Sequence, residues 1–177
     1  MGRISLLFTL FLLGCTSLVP SAAGWLGGVD PLTADPSEIS VAIELSDGLG
    51  VLPETVKLAL SAQHPDRGTI EDIWVLETAQ APDQTWFFRV AEQDRAEMRR
   101  VQRMAREWEL ADPDGTTGSI SVALGGCRTV SYAQLTDARA SVYIRLSDDG
   151  SFRPLFRNAP ISEILNEVQM PELPMCP

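Results

Sequence analysis

The sequence predicts an α+β fold: a mainly antiparallel sheet or sandwich of about seven strands, one amphipathic helix near 94–110 and a short C-terminal helix. Three observations carry this expectation. Apolar and polar residues alternate in several short runs, which is the period of a half-buried strand. The period changes to helical spacing over only one substantial stretch. The connections between runs are short and rich in turn residues, which suits antiparallel neighbours better than βαβ crossovers.

Ile39 to Leu45 opens the strand pattern, with Ile39, Val41, Ile43 and Leu45 on one side and Ser40, Ala42 and Glu44 on the other. Asp47-Gly48-Leu49-Gly50 interrupts it. Thr55 to Ala62 alternates again, which favours a strand over a helix begun at Pro53. His64-Pro65-Asp66-Arg67-Gly68 reads as a loop. Ile73-Trp74-Val75-Leu76 is apolar on both faces, the pattern of a central strand covered on both sides. Thr85 to Val90 holds Trp86, Phe87 and Phe88 and reads as a core strand.

Helical spacing follows. Asp94 is a suitable N-cap, and Glu97 three residues later completes a box-like pair. Met98, Val101, Ala105 and Trp108 form the apolar stripe, and Asp112-Pro113-Asp114-Gly115 ends the helix because proline cannot continue it. Strand pattern resumes at Ile120, Val122 and Leu124, before Gly125-Gly126-Cys127, where absent side chains permit close approach of another segment. Val142, Ile144 and Leu146 form a further strand. Asp148-Asp149-Gly150 is the best hairpin signal, and Phe152 to Arg157 returns as an edge strand marked by Pro154. Ser162 is placed to cap a short helix over Glu163 to Val168.

The N-terminus reads differently. Arg3 precedes a nearly unbroken apolar run from Ile4 to Leu13, the charged-then-apolar order of a secretory signal peptide. About twenty apolar residues are needed to span a bilayer as a helix, so this run is too short to be a retained span. Leu12-Leu13-Gly14-Cys15 ends it. This tetrad resembles the lipobox of bacterial lipoproteins, an apolar residue, a variable one, Gly or Ala, then Cys. The resemblance covers only residues 1–15. It implies that the Cys15 thiol receives diacylglycerol, that the chain is cut before Cys15, and that the new amino group is acylated. It further implies a membrane partner through N-terminal lipid. Thr16 resembles the outer-membrane default, which places the protein at the periplasmic face of the outer membrane. The other cleavage reading uses Ser21-Ala22-Ala23 and gives an unlipidated secreted protein.

The organisation that follows is a signal peptide at 1–14, a lipidated N-terminus and flexible tether at 15–37, and one globular domain at 38–177. Residues 16–37 are rich in Ser, Pro, Ala, Gly and Asp, the composition of a tether. Trp25-Leu26 stands out within it, as a contact with the domain or with the bilayer interface. Cleavage leaves 163 residues, enough for one core. The chain carries a net charge of −10, and loss of Arg3 makes it one unit more acidic. Such a body does not bind nucleic acid non-specifically. With Cys15 lipidated, Cys127 and Cys176 remain, and an even pair in an exported chain reads as a disulfide pinning the C-terminal tail.

Nothing after Cys15 forms a catalytic or cofactor motif, so no cofactor and no metal are expected. His64 is the only histidine and has no matching nucleophile motif, so it reads as a loop residue. Asp112-x-Asp114-Gly115 resembles a fragment of a calcium loop, but Ala123 stands where an EF-hand places its last acid. Asp148 and Asp149 are turn neighbours, which point apart and do not make a matched acid–base pair.

Arg95, Arg99, Arg100, Arg103 and Arg106 put five cations on one helix of an acidic chain, with Arg99, Arg103 and Arg106 sharing a face. That face suits an anionic lipid or an acidic envelope protein, against the plainer reading of a solvated face paired locally with Glu97, Glu107 and Glu109. Trp74, Trp86, Phe87, Phe88 and Trp108 fit either a packed core or a ligand pocket between sheet and helix. The expected function is therefore a lipid-anchored envelope protein with a non-enzymatic partner-binding or assembly role. The alternative is a carrier or sensor of a small apolar ligand, and an enzyme ranks third.

Overall fold

A computed structural model describes residues 30–79, 85–164 and 173–177. Cys15, Trp25-Leu26 and most of the expected helix at 163–168 lie outside the described residues. Seven strands form one curled antiparallel sheet, a half-barrel rather than a two-sheet sandwich. They are β1 (Ser40–Leu45), β2 (Leu49–His64), β3 (Gly68–Ala79), β4 (Thr85–Val90), β5 (Thr117–Arg128), β6 (Arg139–Arg145) and β7 (Arg153–Pro160). Their order across the sheet is β5-β2-β3-β4-β1-β6-β7. The helix α1 (Arg95–Ala111) follows β4, and a single turn of helix, α2 (Ile161–Ile164), follows β7.

Alternation sets the inner face. Val41 and Ile43 of β1, Leu58 and Leu60 of β2, Trp74 and Leu76 of β3, and Phe88 and Val90 of β4 are all buried there. Met98, Val101 and Ala105 of α1 pack into the same cluster, so the helix closes the concave side. At ~25 cal/mol per Å² of apolar surface, this shared burial is the main force holding helix to sheet. The β2–β3 turn uses Gly68 at φ +88°, a left-handed conformation that favours glycine.

Two long strands bend the sheet. From Gly68 to Val75, β3 pairs with β2; from Leu76 to Ala79 it pairs with β4. The long expected break before Thr55 shrinks to a turn at 46–48, and β2 runs on from Leu49. Its ladder with β5 slips where Leu52 faces Gly125 and Lys57 faces Ala123. The Thr55 hydroxyl bridges this bulge: it donates to the Leu52 carbonyl at 2.6 Å and accepts from the Gly125 N–H at 2.7 Å. Bulges of this kind sharpen twist and curvature.

Several expectations need correction. β3 is central in order but not covered on both sides, because Ile73 and Val75 on its outer face are 53% and 46% exposed. Asp94 makes no side-chain cap, since a 3₁₀ turn over Glu92–Asp94 already leads into α1. The Glu97 carboxylate instead accepts from Arg100 at 2.6 Å. The tether boundary at 37 also moves. Residues 30–37 fold into turns against α1, and Ala34 and Pro36 are buried.

Candidate functional site

α1 presents the stripe Arg99, Gln102 and Arg106 to the segment that enters the domain. Arg99 Nη2 donates to Asp35 Oδ1 at 2.8 Å, and Arg106 Nη1 to Asp30 Oδ2 at 3.0 Å and to Glu109 Oε2 at 2.6 Å. Between them Gln102, 3% exposed, donates Nε2 to the carbonyls of Pro31 and Ala34 at 2.8 and 2.9 Å. Asp30 and Asp35 each fold the strap back on itself. Asp30 Oδ1 accepts from Leu32 N–H, and Asp35 Oδ1 from both the N–H and the hydroxyl of Ser37. These Ser37 bonds, with Arg99 beside them, hold the Asp35 carboxyl below its ordinary range.

The expected patch is therefore divided. Arg99 and Arg106 bind the chain's own acids, and Arg103 is exposed with no hydrogen bond or ion pair to any described residue. Gln102 is the residue that sequence reading missed. Its signal was its place three and four residues from the two arginines, one step from the apolar stripe.

The far end of the domain is clasped by Cys127 and Cys176, joined in a disulfide with their Cα atoms 4.9 Å apart. Arg128 organises the tail beside it. Its side chain donates to the carbonyls of Leu173 and Val130, both at 3.0 Å, and lies 4.3 Å from the Tyr132 ring centroid. The Tyr132 hydroxyl also donates to the Leu173 carbonyl, at 2.9 Å. Gly126 leaves room for Leu173, as its missing side chain suggested.

His64 is not a loop residue. It ends β2, is 7% exposed, and packs edge-on to Trp108 with ring centroids 6.3 Å apart. Its Nδ1 accepts from the Asp66 N–H, which leaves Nε2 to donate to Asp112 Oδ2 at 3.1 Å. Asp112 also accepts from the Gly115 N–H, and this bond, ahead of His64, holds its carboxyl below the ordinary range. Both imidazole nitrogens are thus used: Nδ1 holds the β2–β3 turn, and Nε2 joins the β2 end to the α1 end. Asp112 serves the helix stop through the same bonds, and Asp114 is not among its partners.

The aromatic side chains do not gather on one side of the sheet. Trp74 and Phe88 are buried in the core, with Trp86 and Trp108 packed at its margin. Phe87 lies on the other face of β4 against Phe152, at 5.7 Å between centroids. A cleft of about 330 Å³ opens beside the β2 bulge, between Pro53, Glu54, Glu77 and Asp94. Among the described residues no group of three or more His, Cys, Asp or Glu side chains is placed to hold a metal ion. No described helix is long and apolar enough to cross a membrane.

The class these features define is a disulfide-clasped antiparallel half-barrel, closed by one helix whose flank holds the incoming chain. Comparison with protein-family models, curated proteins and solved structures finds no match.

Proposed function

We propose that this chain is a lipid-anchored bacterial envelope protein with a non-enzymatic partner-binding or assembly role. The observation that carries the reading is the Cys127–Cys176 disulfide, in a chain whose third cysteine ends a lipobox-like tetrad. A disulfide of this kind belongs to an exported compartment. Lipid at Cys15 would leave fifteen residues before the docked strap at Asp30, a reach of at most ~50 Å at ~3.3–3.6 Å per residue. The strap docks along α1, so that flank lies where the tether would join the domain. Arg103 is exposed there and suits anionic headgroups or an acidic envelope protein.

The side chains between sheet and helix weaken the ligand-carrier alternative, since Met98, Val101 and Ala105 are at most 1% exposed. The cleft at the bulge carries three carboxylates, a poor lining for an apolar ligand.

Intact mass of the protein purified from membranes, with and without reduction, tests the anchor. The expected species begins at Cys15, carries acyl chains and gains two hydrogens on reduction. A lipid-free species beginning near Gly24 would overturn the anchored reading.

A further inference from the structure

The two edges of the sheet are built differently. β7 carries Pro154 and Pro160, Arg153 and Arg157, and a left-handed Asn158 at φ 51°. Its register against β6 also breaks twice. Prolines, charges and bulges are the devices by which an edge rejects another strand. From Thr117 to Ala123, β5 has none of them. It contains no proline, and from Gly115 to Cys127 the chain has no charged residue. Its ladder with β2 is unbroken from Lys57–Ala123 to Gln63–Thr117. Among the described residues, the tail covers the end of its outer side, where the Arg128 N–H donates to the Pro174 carbonyl at 2.8 Å and Met175 bridges in parallel. No described strand or bridge pairs with that side before Arg128.

We propose that β5 pairs antiparallel with β5 of a second copy of this chain, about a two-fold axis near Ser121, so that one sheet runs through both domains. The net charge of −10 makes most contacts between copies repulsive, and from Gly115 to Cys127 this edge adds no charge of its own. It also offers no acidic side chain to draw a basic strand from another protein. The pattern matches itself under the two-fold. Ser121 then faces Ser121, Ile120 faces Val122, and Ser119 faces Ala123, so inner residues meet inner and no charges oppose. On the outer face the row Ile73–Ala59–Ser121 meets its own copy, extending the partly exposed apolar surface of β3 across the axis.

The test uses the full mature protein in a neutral, density-matched detergent. Sedimentation equilibrium is expected to give twice the chain mass at high concentration and to shift toward one mass on dilution. The double variant Ser119→Lys, Ala123→Lys opposes lysines across the axis at two exposed positions, and is expected to stay at one mass with an unchanged unfolding midpoint. Ser121→Cys is expected to give an oxidised dimer on a non-reducing gel, whereas Arg157→Cys on β7 gives none. A single mass at every concentration would overturn the proposal, as would a dimer that survives the two lysines. A single copy carrying a different polypeptide, released by the two lysines, would also overturn self-pairing and give the edge to that polypeptide's strand.

Discussion

At the residue scale, Gln102 holds more of the strap than the arginines beside it. It is buried and satisfies two carbonyls, so Gln102→Ala leaves Pro31 and Ala34 without their donor. The expected cost is ~1–3 kcal/mol in denaturant titration. Arg99→Ala removes a half-exposed ion pair and is expected to cost less than ~1 kcal/mol. Acid acts on the same strap. Asp35 is held below the ordinary carboxyl value of 3.8, so the folded state binds this proton less readily than the unfolded chain. Its contribution is fully present above that value and is lost as pH falls through the lower folded one. The urea midpoint should hold steady from neutrality to about pH 4 and fall below it, and Asp35→Asn should flatten part of that fall. Gly50 is a residue of another kind. A Cβ there would lie 2.8 and 2.9 Å from the two disulfide sulfurs, so Gly50→Ala should raise the titratable thiol content of the purified protein.

At the element scale, the disulfide ties the tail to β5 across a sequence separation of 49 residues. Reduction is expected to cost ~4 kcal/mol in the chain-entropy model, read as a lower unfolding midpoint. β4 gives a comparable test within the core, since Phe88 is fully buried. Phe88→Ala is expected to cost ~3–5 kcal/mol. Most elements were legible in the sequence because a local period fixes them. The seven strands, the helix span, the Asp148-Asp149-Gly150 hairpin and the edge strand with Pro154 all follow from neighbours in the chain. What local pattern misses are interactions between distant segments. Ile73 and Val75 look like interior residues, yet among the described residues no second layer covers them on the outer face of β3. His64 looks like loop, yet Trp108 and Asp112, more than forty residues away, bury and engage it. Residues 30–37 have the composition of a linker, and only Gln102 and its flanking arginines reveal that they dock.

At the scale of the whole molecule, the strap changes how the basic flank of α1 should be tested. Reversing Arg99, Arg103 and Arg106 together would free the strap as well as alter the surface. Arg103→Glu alone touches no described partner and is the clean variant. It is expected to reduce capture by vesicles containing anionic lipid, or co-purification of an acidic partner, while leaving the unfolding midpoint unchanged. The order of strands in the sheet bears on how the domain is made. β1 has β4 on one side and β6 on the other, so Ile43 meets Val142 about one hundred residues later. Contacts this distant in sequence form slowly, and a chain is delivered N-terminus first. The first strand must therefore wait with one flank unpaired until the sixth arrives, and Cys127 must wait for Cys176, which comes later still in the chain. Premature oxidation in that interval would trap a sheet with an open seam, which makes the final cysteine a timer for the completed fold.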